Sequence, residues 1–228
     1  VSLFVLIPGA GSDPHVWDAT IRELVALGHG AIAPPLPLSD SAARPSDHAA
    51  AVLAAIPAGR EVVVVAHSLG AFSGTLVAAG LPGSRLILLA AMIPRPAESA
   101  SEWWVNTRHG EAIGDVLERF GPMGGWGPDA IAEVFLHDVG PEVARANERY
   151  AGAPGEGMFS EPWPLAAWPD VSTRVLAPVG DRLFPLAFQR RIAGERLGVE
   201  IDELPGGHLP MLARPAELAL RLSGLSRA

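Results

Sequence analysis

Glu61-Val-Val-Val-Val-Ala-His-Ser-Leu-Gly70 is the stretch on which the fold turns. From Val62 to Ala66 it is apolar at every position, as in a central parallel strand that helices cover on both faces. It runs directly into His67-Ser68-Leu69-Gly70 and then into an alanine-rich segment of helical length that closes near Gly80. A strand that passes into a helix this quickly needs small residues where the two backbones approach. Ala66 and Gly70 supply them, two positions before and two after Ser68. Such a turn strains the serine and lifts its hydroxyl above the sheet. A serine here can also serve simply as the helix N-cap, but the strand before it and the helix after it favour the strained turn.

Outward from this centre the elements alternate. Leu3–Ile7 reads as a buried strand ending in Pro8-Gly9-Ala10-Gly11, and Trp17–Leu27 as a helix stopped by Gly28. Ala31–Ala33 is a short strand before Pro34-Pro35-Leu36-Pro37. Ser46 or Asp47 then caps a helix that runs to Ile56 and ends at Pro57 and Gly59. Arg85–Ala91, Thr173–Val179 and Val199–Leu204 read as strands, and Leu186–Leu197 and Pro215–Leu225 as helices. Between about 94 and 170 the alternation lapses, and this stretch holds five of the six tryptophans, at 103, 104, 126, 163 and 168. It reads as a helical cap inserted into one α/β domain spanning 1–228, with a mostly parallel central sheet flanked by helices.

Composition excludes several chemistries. The 228 residues include no cysteine, which removes disulfides, thiolate metal sites and a cysteine nucleophile. All 17 basic residues are arginines, so no lysine is present to form a Schiff base. A formal charge of −8 argues against nucleic acid and anionic membranes as partners. The nearest basic cluster, Arg190-Arg191 with Arg196, reads as a solvated helix face. No apolar run approaches the roughly 20 residues that span a bilayer. No signal-peptide pattern is visible, and a cytoplasmic location is the expectation.

A serine at its ordinary pKa is a weak nucleophile and needs a base. Of the seven histidines, His208 lies in Leu204-Pro-Gly-Gly-His-Leu-Pro-Met211, between the last strand and the last helix. His67 adjoins the serine, but its direction in the turn gives it a packing role. His15, His29, His48 and His109 read as surface or loop residues, and His137 would line a pocket if the insertion covers the site. For the carboxylate that orients the base, Asp181 follows the strand and Gly180 and precedes Arg-Leu-Phe-Pro185. Its rivals are less well placed: Asp170 precedes the strand, and Asp202 lies within one.

Taken together, the Ala66-His-Ser-Leu-Gly70 turn and the order Ser68, Asp181, His208 resemble the α/β-hydrolase superfamily over nearly the whole chain outside the insertion. Ala66 stands where the family's first glycine usually sits. The resemblance implies Ser68 as nucleophile, His208 as general base and Asp181 as the acid that fixes its tautomer. It also implies an oxyanion hole made by the backbone N–H groups of Leu69 and Ala10, with Pro8-Gly9-Ala10-Gly11 similar to the family's His-Gly-x turn. Pro8 replaces the customary histidine, and with it the hydrogen bonds that brace this loop. The Pro-Gly-Ala turn followed by Trp17, and the His208-Leu-Pro-Met211 ending, are similar to the methylesterase and hydroxynitrile lyase branch. Lyases of that branch carry a lysine after the histidine and a threonine in the first loop, whereas this chain has Leu209 and small residues.

The expected reaction is hydrolysis of a carboxylic ester or lactone of an apolar or aromatic small molecule, with no metal and no organic cofactor. A homodimer is compatible with the sequence. The alternatives are a non-hydrolytic enzyme on the same scaffold, such as a lyase, a cyclase or a releasing enzyme of a biosynthetic pathway, or a ligand-binding receptor-like protein.

Overall fold

A computed structural model describes residues 2–226. Six strands form one sheet: β1 (Leu3–Ile7), β2 (Gly30–Ile32), β3 (Val62–His67), β4 (Arg85–Leu89), β5 (Ser172–Pro178) and β6 (Ile201–Leu204). Their order is β2-β1-β3-β4-β5-β6, and every neighbouring pair is parallel. The unbroken apolar run of β3 follows from this position. Val62, Val64 and Ala66 join one core beneath the helices Pro45–Ala55, Gly70–Ala79 and Leu186–Leu197, whereas Val63 and Val65 face the opposite core under Asp18–Ala26 and Pro215–Leu225. With helices on both faces, neither set of side chains can be polar.

From β1 the chain steps outward to β2, then returns across the sheet to lay β3 on the other side of β1. The direction of winding reverses there. In open α/β sheets the crevice beyond the strand ends at such a reversal is where ligands bind. The loops leaving β1 and β3 carry Pro8–Gly11 and Ser68, so the topology alone brings these two segments together.

Between β4 and β5 the chain adds no strand to the sheet. It forms short helices instead, among them Ala100–Asn106, Pro128–Val134, Pro141–Asn147 and Gly157–Ser160. Trp103 and Trp163 are fully buried, and the Trp163 indole N–H donates to Thr75 Oγ1 at 2.8 Å. These tryptophans fasten the insertion to the sheet layer. Among the described residues Trp104 alone of the six tryptophans lines the cavity onto which Ser68 and His208 open.

Several local features differ from the sequence expectation. The helix expected to be capped by Ser46 or Asp47 starts at Pro45 with Arg44 as its N-cap, and Asp47 accepts the Arg44 N–H at 2.9 Å. Proline suits the first helical position because its fixed φ is already helical and the missing N–H would have no partner there. Strand β4 ends at Leu89, before the expected Ala91: the Ala90 N–H still donates to Leu176 O at 3.1 Å, but φ 43° at Ala90 turns the chain out of the strand. Arg196 is not solvated: its side chain is 1% exposed and pairs with Glu98, 3% exposed, Nη2 to Oε1 at 2.8 Å. Arg190 and Arg191 remain partly exposed and pair with Glu203 and Glu195.

Candidate active site

Ser68 sits between β3 and the helix Gly70–Ala79 with φ 52°, a left-handed conformation that a non-glycine residue adopts at a cost. Backbone hydrogen bonds from β4, the segment after it and the following helix hold it there. Its N–H donates to Leu89 O at 3.1 Å, and its carbonyl accepts the N–H groups of Met92 at 3.0 Å and Ala71 at 3.1 Å. The packing shows why the flanking residues are small. A Cβ on Gly70 would lie 2.4 Å from Pro8 O, and one on Gly9 would lie 2.8 Å from Ser68 Cβ. The alanine at 66 is accommodated one turn along the helix: a Cβ on Gly74 would lie 2.4 Å from Ala66 Cβ. The space that a glycine at 66 would leave is here left by Gly74.

The structure brings Asp181 and His208 together. His208 Nδ1 lies 2.8 Å from Asp181 Oδ2, and both side chains are shut off from solvent. Asp181 Oδ1 accepts the backbone N–H groups of Leu183 at 2.9 Å and Phe184 at 2.8 Å, which aims the other oxygen at the imidazole. With Nδ1–H committed to the carboxylate, Nε2 is left with its lone pair. Phe184 and Phe135 set their rings edge-on to His208, at 5.1 and 5.5 Å between centroids. The rival acids lie elsewhere: Asp202 forms a two-pronged pair with Arg174 at 3.0 and 2.9 Å.

His67 holds the opposite side of His208. Its Nε2–H donates to the His208 carbonyl at 2.9 Å. Burial, reinforced by the neighbouring His208, holds the His67 imidazole well below the usual histidine range although that hydrogen bond works the other way. It is a neutral packing group. His48 and His109, expected at the surface, are buried. His109 Nε2 bonds to Leu183 O at 2.7 Å, behind the loop that carries Asp181, and burial lowers its pKa. No spacing pattern signalled this, because the contact spans 74 residues.

Ser68, His208, Ala10, Met92, Trp104, Met123, Ile131, Phe135, Phe159, Leu183 and Leu209 line one cavity of about 600 Å³. Its wall is overwhelmingly apolar, with Asn147, Glu148 and Tyr150 as the polar exceptions contributed by the insertion. Ser68 Oγ makes no hydrogen bond to His208 among the described residues; the two face the same space. No protein acceptor takes the N–H of Ala10 or Leu69 among the described residues. The loop around Ala10 is braced by the insertion and not by a histidine: Gly152 N–H donates to Gly11 O at 2.8 Å, and Asp13 N–H to Tyr150 O at 3.1 Å. His137 does not line the cavity; its ring packs against Gly207. Among the described residues no group of three or more His, Cys, Asp or Glu is gathered to hold a metal, and no helix is long and apolar enough to cross a membrane.

Compared with known proteins, residues 4–221 match the model of the alpha/beta hydrolase family. The chain belongs to the alpha/beta hydrolase family. It is 25% identical over 233 residues to the "Probable hydrolase R7" of Phoma sp., covering 94% of this chain and 93% of that one. In three dimensions this alpha/beta hydrolase is similar to polyneuridine aldehyde esterase, with TM-score 0.82, 21% identity and 99% of each chain covered. It is also similar to a pyrethroid hydrolase from Sphingobium faniae JZ-2, with TM-score 0.73, 22% identity and 100% of this chain against 98% of that one. An extracellular alpha/beta-hydrolase from a Paenibacillus species gives TM-score 0.79 at 18% identity, with 99% of each chain covered. At these identities the structural likeness establishes the fold, and membership in the family supports a hydrolase.

Proposed function

We propose that this alpha/beta hydrolase cleaves a carboxylic ester or lactone of an apolar or aromatic small molecule through an acyl-enzyme on Ser68. One observation carries the reading: a buried Asp181–His208 pair at 2.8 Å faces the same apolar cavity as a serine held at φ 52°. His208 Nε2 takes the hydroxyl proton as Ser68 Oγ attacks the carbonyl carbon, and Asp181 stabilises the imidazolium that results. The carbonyl π electrons move onto oxygen, where the N–H groups of Leu69 and Ala10 receive the charge. His208 then hands the proton to the departing alkoxide as the C–O bond breaks. In a lactone the alcohol stays attached to the acyl group. A water molecule, deprotonated by His208, attacks the acyl-enzyme, and Ser68 leaves with the proton restored.

The insertion supplies most of the apolar wall and so acts as a lid that selects the substrate. A volume near 600 Å³ accommodates a drug-sized molecule with one polar reacting group. Leu209, next to His208 in the cavity wall, offers no charge to an ionic leaving group, which favours hydrolysis over lyase chemistry. The presence of an esterase and a pyrethroid hydrolase among the similar structures is in keeping with this reading. The test is turnover of a short-chain p-nitrophenyl ester by the wild type and by Ser68→Ala. Removing a nucleophile that acts with its base is expected to lower kcat by about 10⁶-fold. Equal rates in the two proteins would show that Ser68 is not the nucleophile.

A further inference from the structure

The loop that carries His208 begins Gly206-Gly207, and glycine has little conformational preference of its own. Something must fix the Gly206–Gly207 peptide that leads into the histidine. On one side Gly206 O accepts the Gly180 N–H at 2.9 Å, which ties the loop to the segment ahead of Asp181. On the other side Asp138, from the turn after the insertion helix Pro128–Val134, accepts the Gly207 N–H on Oδ2 at 2.7 Å. The fit is close: a Cβ on Gly207 would lie 2.6 Å from His137 Cε1 and 2.8 Å from Asp138 Oδ1. The same stretch of the insertion touches the acid's loop as well, where Arg182 Nη1 donates to Glu133 O at 3.1 Å.

We propose that Asp138 is a positioning residue for His208, so that the base is held in its working place only while the insertion is docked. This rests on the hydrolase reading above. The Gly206–Gly207 peptide, one residue ahead of His208, is fixed by a carboxylate from the insertion, and the carbonyl of His208 itself is fixed by His67 at 2.9 Å. A hydrogen bond to a charged acceptor is about twice as strong as a neutral one, and that suits a glycine peptide with no other restraint on its N–H. Asp138 touches neither the imidazole nor the cavity, and its effect is exerted through the backbone.

The experiment compares wild type, Ser68→Ala, His208→Ala, Asp138→Ala and Asp138→Asn. For each, the second-order rate of fluorophosphonate labelling, kcat and KM on a p-nitrophenyl ester, and Tm are measured. Misplacing a reacting group by about 1 Å can cost about 100-fold. Asp138→Ala is therefore expected to lower kcat and the labelling rate together by about 10- to 100-fold, with KM within about 3-fold. Asparagine keeps an acceptor oxygen and is expected to restore most of the rate. Should Asp138→Ala not fold, Arg182→Met, at a half-exposed side chain, loosens the other contact and is expected to lower kcat with KM held. A folded Asp138→Ala that labels and turns over like the wild type overturns the positioning role while the hydrolase reading stands. So does an Asp138→Asn as impaired as the alanine variant, and so does an Arg182→Met with unchanged kcat where it alone folds. A wild type that never labels at Ser68 overturns the hydrolase reading and the positioning role with it.

Discussion

Gly74→Ala tests how this chain tolerates Ala66 in its strained turn. The added methyl would lie 2.4 Å from Ala66 Cβ and 3.6 Å from Ile7 Cδ1, whereas carbon atoms pack at about 3.5–4.0 Å. The two backbones must therefore part by about 1 Å. Strand β3 cannot yield, being paired to β1 on one side and β4 on the other, so the helix Gly70–Ala79 moves and takes Leu69 and Ser68 with it. Overpacking of a rigid core costs about 1–3 kcal/mol, against about 1 kcal/mol gained from the better helix former. In a chain of this size the difference, a net loss of up to about 2 kcal/mol, lowers Tm by up to about 8 °C. Adding Ala66→Gly to Gly74→Ala removes the clash, and the double variant is expected to be more stable than Gly74→Ala alone. The single Ala66→Gly should be destabilised by about 0.5–1 kcal/mol. Chemical denaturation of the four proteins gives the coupling energy directly. A Gly74→Ala protein as stable as the wild type, or a second substitution that simply adds to the first, would refute the reasoning.

Other outcomes follow from the same packing. Glu98→Gln leaves Arg196 buried without its charge partner, and breaking such a pair costs about 3–5 kcal/mol; a denaturation midpoint within error of the wild type would contradict this. His67 and His109 have their pKa values lowered by burial, so the unfolded chain binds protons that the fold refuses. Their contribution is complete above the unfolded histidine value near 6.5 and is lost as pH falls from there toward their lowered folded values. Each adds a slope of up to about 1.4 kcal/mol per pH unit in that window. His109→Gln should flatten the dependence in urea melts between pH 7 and pH 5, and an unchanged slope would count against the burial argument. Phe159→Glu places a carboxylate in the apolar wall and is expected to raise KM for a hydrophobic ester by about 10-fold or more, as read from initial rates; an unchanged KM would mean that the lid does not contact the substrate.

The sheet was legible because burial on both faces leaves a mark in composition: β1, β3 and β4 are apolar without alternation, which only a covered parallel strand allows. The placement of Ser68, Asp181 and His208 was legible because each follows the end of a parallel strand, β3, β5 and β6, and so lies at the same rim of the sheet. What the sequence concealed lies in contacts between distant segments. Arg196 looks like part of a solvated arginine cluster until Glu98, 98 positions away, is brought against it. His109 and Asp138 sit in short helices and turns whose periodicity is too brief to reveal an inner face. Their partners, Leu183 and Gly207, are backbone groups with no side-chain signature at all. The bracing of the loop around Ala10 is hidden for the same reason, since Gly152 and Tyr150 hold it through main-chain atoms. Ala66 looked like a departure from the glycine pattern until the packing showed Gly74 opposite it.

The central claim is that Ser68 is the nucleophile, and the most direct test is to find where a fluorophosphonate binds covalently. Because the chain has no lysine, trypsin cuts only at arginine, and Arg60 and Arg85 bracket a single peptide, 61–85, that contains Ser68. The account predicts one adduct per chain, on residue 68 within this peptide, absent from Ser68→Ala and greatly slowed in His208→Ala. An adduct that persists in Ser68→Ala, or a folded wild-type protein that carries none, would contradict it.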